Sequence, residues 1–154
     1  MKFIADQITI APKDADKAKE LLDAMGAGAW TDDHVLARGV VGAELTQNEA
    51  DLSFEYELLA GAKELEIMSY SNGPNWIGDA HRVACIGMHI PYSELAYWRE
   101  FFKARGIQIA QEMYTKEHTN PTIAGKRWYN YVIFNTYEIL GVDIKLIVRN
   151  VIVS

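Results

Sequence analysis

The sequence predicts an α+β fold of two βαβββ modules whose mixed sheets curve into a cup. Three observations carry that reading. One order of elements, strand, helix, then three strands, occurs twice along the 154 residues. Landmarks in the two copies recur at nearly one offset: Pro12 to Pro91 is 79 positions and Gly26 to Gly106 is 80. With 49% hydrophobic residues and no Pro- or Ser-rich linker, the chain can bury one substantial core as a single domain, 1–154.

In the first module, 1–72, the opening strand is expected over Phe3 to Ala11, where Ile8 and Ile10 alternate with Gln7 and Thr9. Asp14 is placed to cap a helix whose apolar positions Ala15, Ala18, Leu21, Leu22 and Met25 recur at helical spacing, with Gly26 ending it. Strands are expected over His34 to Glu44, Leu52 to Leu59 and Glu64 to Tyr70, the last two joined by a turn through Gly61. The second module, 82–154, replays this after a connection over 73–81. Its strand is Arg82 to Ile90, and Pro91 and Ser93 open a helix with Leu95, Trp98, Phe101, Phe102 and Arg105 on one side, up to Gly106. Strands over Ile107 to Tyr114, Arg127 to Asn135 and Val142 to Arg149 complete it, and Thr115 to Tyr131 enters them as a long polar loop.

Each helix is expected to cover one sheet face with its apolar stripe, leaving the other face for the cup. Strand alternation then assigns the cup Gln7, Thr9, Glu64, Glu66 and Met68 from the first module. From the second come Cys85, Gly87, His89, Arg127, Tyr129, Tyr131, Asp143 and Lys145. The helix side receives Ile8, Ile10, Leu65, Ile67, Ile86, Met88, Val132, Ile144 and Leu146.

Charge and composition remove several function classes. A net charge of -6 and the lack of any basic run leave nothing to release counterions from phosphates, so no nucleic-acid partner is expected. Apolar stretches such as Val83 to Ile90 are too short to span a bilayer, and the N-terminus has no signal-peptide pattern, so no membrane partner and a cytoplasmic location are expected. One cysteine, Cys85, rules out an internal disulfide and any CxxC motif.

The paired element order, together with the segments "QITIAPKDADKAKELL", "KELEIMSYSNGPNW" and "ACIGMHIP", resembles the vicinal oxygen chelate superfamily. That superfamily includes glyoxalase I, extradiol dioxygenases, methylmalonyl-CoA epimerase, and fosfomycin and bleomycin resistance proteins. The resemblance covers nearly the whole chain and implies the glyoxalase-like fold. It also implies a divalent metal, zinc, nickel, iron or manganese, held by residues on the first and last strands of each module. Gln7 and Glu66 match the family's ligand types there, whereas Cys85 stands where the family has His and Lys145 where it has Glu. The metal set this implies is Gln7, Glu66 and Cys85. An ammonium in the fourth place repels a cation by about 4 kcal/mol per unit charge at about 4 Å and an effective dielectric of about 20.

Three functions stay open at this level. One is a metal-dependent lyase, isomerase or dioxygenase of the glyoxalase type, with Glu66 as ligand or base and His118 as a second candidate base. Another is a metal-free protein that holds a small anionic molecule with His89, Arg127, Tyr129, Tyr131 and Lys145, in which Glu66 and Lys145 form an ion pair across the cup. The last is a dimerisation module, since homodimers are common in the superfamily and modules pair within or between chains.

Overall fold

The computed structural model describes residues 1–27, 30–41, 44–59, 61, 63–72, 81–118 and 127–151, with the side chains of 33–41, 44–50, 54–58, 70–72, 113–118, 127–130 and 149–151 outside the description. The elements are β1 (Gln7–Ala11), α1 (Ala15–Ala24), β2 (Thr31–Val41), β3 (Glu44–Leu59), β4 (Lys63–Asn72), β5 (Arg82–His89), α2 (Leu95–Lys103), β6 (Ile109–His118), β7 (Arg127–Phe134), α3 (Tyr137–Leu140) and β8 (Asp143–Val151). A 3₁₀ turn, Tyr92–Glu94, leads into α2 from Pro91. The βαβββ order therefore occurs twice, as expected. Residues 73–80, most of the expected connection, lie outside the described residues.

All eight strands join in one mixed sheet closed into a barrel, in the order β1-β4-β3-β2-β6-β7-β8-β5. Each half contributes a parallel pair, β1 with β4 and β5 with β8, because a helix and two strands separate their chain positions. Antiparallel ladders β1–β5 and β2–β6 join the halves, so they pair within one chain and the rim of the expected cup is hydrogen-bonded all round. The registers repeat as well: Gln7 faces Glu64 across β1–β4 as Cys85 faces Asp143 across β5–β8.

The core lies between α2 and the outer face of β5, β7 and β8. Leu95, Trp98 and Phe102 bury one side of α2 against Met88, Val132, Phe134, Ile144, Leu146 and Val148. The Phe102 and Phe134 rings stack with centroids 4.1 Å apart. Burial of side chains of this size contributes roughly 1.5–3 kcal/mol each.

The first helix departs from expectation. Asp14 caps α1 by accepting from the Lys17 amide at 3.1 Å, as its position predicts. Yet no α1 residue is buried, and Leu21 and Met25 of the supposed core stripe are 63% and 69% exposed. Polar contacts tether the helix instead. Lys19 Nζ reaches Asp32 Oδ1 at 2.8 Å, and Trp30 Nε1 donates to Asp23 Oδ1 at 2.6 Å. An amphipathic period shows which residues share a face, but not how closely that face approaches the sheet.

Strand lengths were also misjudged in places. β3 begins at Glu44, so 45–51 is strand and not a connection, and Thr115–His118 belongs to β6 and not to a loop, whereas β7 starts at Arg127 as the expected strand does. The first two segments are too polar to read as strands, but ladder partners on β2 fix them: Val35 pairs with Ala50 on one side and with His118 on the other. β1 starts at Gln7, four residues later than expected. The single-turn α3 was not anticipated. Gly141 ends it at φ 75°, a left-handed conformation glycine adopts without a Cβ clash.

Candidate functional site

Inside the barrel, two adjacent levels of β1, β4, β5 and β8 carry an unusual number of buried polar side chains. Gln7, Thr9, Glu64, Glu66, Asp143 and Lys145 are all at most 4% exposed. Register puts Gln7, Glu64, Gly87 and Lys145 on one level and Thr9, Glu66, Cys85 and Asp143 on the next. Burial without partners would be costly, and most of these groups form one hydrogen-bonded chain.

Lys145 Nζ donates to Glu66 Oε1 at 2.9 Å. The same oxygen lies 3.0 Å from Thr9 Oγ1, which is also 3.1 Å from Gln7 Oε1. Thr9 has a single hydroxyl proton, so it serves one of these acceptors at a time. Gln7 Nε2 in turn donates to Glu64 Oε1. Lys145 Nζ also sits 4.8 Å from the centroid of the Tyr131 ring, whose hydroxyl accepts from Gln111 Nε2 at 3.3 Å. Gly87 lies at close quarters here: a Cβ would come within 3.2 Å of Gln7 Oε1 and 3.3 Å of Ile147 Cδ1, so these side chains would have to give by a few tenths of an ångström.

Cys85 is fully buried beside this chain. Burial pushes its thiol well above the ordinary value, with Glu66 and Asp143 adding to the push and Lys145 and Arg82 opposing it. Asp143 closes one end of the barrel: Oδ1 accepts from the amides of Thr136 and Tyr137 at 3.1 and 3.0 Å, and Oδ2 lies 3.5 Å from Arg82. Burial raises its carboxyl above the ordinary 3.8, against the lowering effect of Arg82 and of those amides.

At the other end, His89 Nδ1 lies 2.8 Å from Asp6 Oδ1, and the His89 amide donates to the same carboxylate at 3.1 and 3.2 Å. Among the described residues, His89 Nε2 and Trp98 Nε1 are the buried side-chain polar atoms without a hydrogen-bond partner.

The structure thus brings together Gln7, Glu66, Cys85, Tyr131 and Lys145 from the set read in the sequence, and sets His89 one step further along β5. The backbones of Arg127, Tyr129 and His118 lie in β7 and β6, but their side chains are outside the described residues. Thr9 and Glu64 stood on the predicted cup face without a role. Asp6 and Gln111 were given no role: Asp6 lies within the strand expected over Phe3 to Ala11 but meets its partner His89 only across β1 and β5, and Gln111 needs the β6–β7 register to be placed inside.

The residues at the four positions where the sequence resemblance implies metal ligands, Gln7, Glu66, Cys85 and Lys145, do not fit a divalent cation. Glu66 Oε1 is bound by an ammonium, and Gln7 Oε1 is within reach of the Thr9 hydroxyl. A thiol pushed upward stays protonated and ligates poorly, since the thiolate is the ligand form. Lys145 places positive charge where a carboxylate would be needed. Among the described residues, no group of three or more His, Cys, Asp or Glu is arranged to hold a metal.

No family model matches the chain, and no curated protein matches it. Solved structures do. A Streptomyces coelicolor methylmalonyl-CoA epimerase variant in complex with 2-nitronate-propionyl-CoA superposes with a TM-score of 0.56 at 12% identity, over 96% of this chain and 95% of that one. A hypothetical protein of Bacillus halodurans gives 0.54 at 11%, over 98% and 97%. The Mycobacterium tuberculosis methylmalonyl-CoA epimerase gives 0.52 at 14%, over 94% and 86%. The chain has the glyoxalase-like α+β fold that these proteins share. Among the described residues, no helix is long and apolar enough to cross a membrane.

Proposed function

We propose that this protein is a vicinal oxygen chelate superfamily member that binds a small anionic molecule inside the barrel without a metal. The observation that carries this reading is Lys145, a buried ammonium at the position where the superfamily has a ligating carboxylate. Of its three N–H donors one is directed at Glu66, which leaves the group able to bind a carboxylate oxygen of a ligand. Tyr131 supplies an aromatic wall, His89 stands toward the end of the barrel nearest Asp6, and Arg127 and Tyr129 precede Tyr131 on the same strand. The single domain 1–154, a cytoplasmic location and a homodimer remain parts of this proposal.

Calorimetric titration with short carboxylates, run with and without a chelator, tests it. Binding is expected to be unchanged by the chelator and lost in Lys145→Met. Stoichiometric zinc, nickel, iron or manganese in protein purified without added metal, lost in Glu66→Gln, would overturn it in favour of a metal-dependent lyase, isomerase or dioxygenase.

A further inference from the structure

We propose that α1 is a detachable cover, which lifts from the outer face of β4 and unwinds as a unit while the closed barrel and α2 stay folded. The inference rests on how the two duplicated helices are fastened, and is independent of what the barrel binds.

The two modules carry a helix at the same place in their order but anchor it differently. In α2, Leu95, Trp98 and Phe102 are buried, and Phe102 stacks on Phe134 of β7. In α1 none of the ten residues is buried. Its inner side offers Ala15, Ala18 and Leu22, all half-buried, and an alanine methyl buries little apolar area. A helix this short is marginal in water on its own hydrogen bonds, so whatever docks α1 also keeps it wound.

Exposed polar contacts supply the fastening. Just before the helix, the Lys13 amide donates to His81 Nδ1 at 2.7 Å. In its middle, Lys19 Nζ donates to Asp32 Oδ1 of β2 at 2.8 Å, and that oxygen also accepts from Ser53 Oγ of β3 at 2.6 Å. Near its end, Asp23 Oδ1 accepts from Trp30 Nε1 at 2.6 Å, with Lys19 Nζ 5.6 Å from the centroid of the Trp30 ring. Burial acts to raise the Asp32 carboxyl, yet the bonds from Lys19 and Ser53 and the Lys19 charge hold it below its ordinary 3.8. The side chains of Lys19 and Asp32 are 24% and 62% exposed, so water competes for this pair and salt screens it. Such contacts contribute less than the buried rings of α2, which places the opening of α1 below that of α2 in free energy.

Opening breaks no barrel ladder, because α1 connects β1 to β2 and takes part in no strand pairing. It uncovers the outer side of β4, on which α1 rests and where Leu65 and Ile67 are buried in the closed form. The open form therefore presents an apolar strip on a strand whose inner face carries Glu64 and Glu66.

Native-state hydrogen exchange, read amide by amide by NMR in water and in low urea, tests the proposal. In wild-type protein the hydrogen-bonded amides of α1 are expected to exchange at least about 100-fold faster than those of α2 and β8, relative to their intrinsic rates. Low urea should leave the α1 rates unchanged, since a local opening exposes little new surface. Asp32→Asn should speed α1 exchange about 3-fold, and Asp32→Asn with Trp30→Phe about 10-fold, with α2 altered less than about 2-fold. Equal protection of α1 and α2, lost together as urea rises, overturns the proposal without recourse to any variant. It is also overturned if the double variant speeds α2 as much as α1, because the contacts would then hold the whole fold. Unchanged α1 exchange in the double variant overturns the polar fastening.

Discussion

Removing the Lys145 ammonium should destabilise the protein far more than removing both members of its ion pair. At 2.9 Å the attraction between Lys145 and Glu66 is about 6 kcal/mol for an effective dielectric of about 20. Both side chains are 3% exposed, so each charge also bears a desolvation cost of several kcal/mol, and the net value of the pair is small. Lys145→Met leaves the Glu66 carboxylate buried with Thr9 alone, and the expected loss is about 3–5 kcal/mol. In Lys145→Met/Glu66→Leu no charge is stranded, and stability should return to within about 1 kcal/mol of wild type or exceed it. Urea unfolding of the four proteins in a double-mutant cycle measures the coupling. Additive losses in the double variant, or a single-variant loss below about 1 kcal/mol, would refute the claim that these charges compensate each other in a dry interior.

Other expectations follow from the same geometry. Phe102→Ala removes the ring stacked on Phe134 and should cost about 3–5 kcal/mol in denaturant unfolding, whereas Leu21→Ala on the exposed face of α1 should cost less than about 0.5 kcal/mol. Because burial holds the Cys85 thiol protonated in the folded state while the unfolded thiol ionises near its ordinary 9.0, stability should decline as pH rises past that value. The decline should vanish in Cys85→Ala, and a thiol reagent should label Cys85 only on unfolding. Asp143 has a raised folded-state value, so its ionisation subtracts stability above the ordinary 3.8, and the deficit should fade as pH falls through that range. Asp143→Asn should flatten this part of the acid profile, with Thr136 and Tyr137 still donating to the amide oxygen. Gly87→Ala should lower the melting temperature, because the added Cβ meets Gln7 and Ile147 at 3.2 and 3.3 Å.

The α+β class, the doubled βαβββ order and the face on which each strand residue lies are legible in the residues alone. These are local matters: a two-residue alternation sends Gln7, Thr9, Glu64, Glu66, Cys85 and Lys145 to one side of their strands whatever the strands pair with. The resemblance implied metal ligands at Cys85 and Lys145 as well, where a metal would need different donors. How those faces meet depends on pairings between residues distant in the chain. Register put Glu66 within reach of Lys145, 79 positions away in the chain, and let Asp6 hold His89, 83 positions away. Polar stretches such as Thr115–His118 became strand because ladder partners satisfied their backbones, an effect absent from local propensity. The α1 stripe, legible as amphipathic, is only half-buried at Ala15, Ala18 and Leu22 and exposed at Leu21 and Met25, since periodicity orients a helix face without fixing its distance from the sheet.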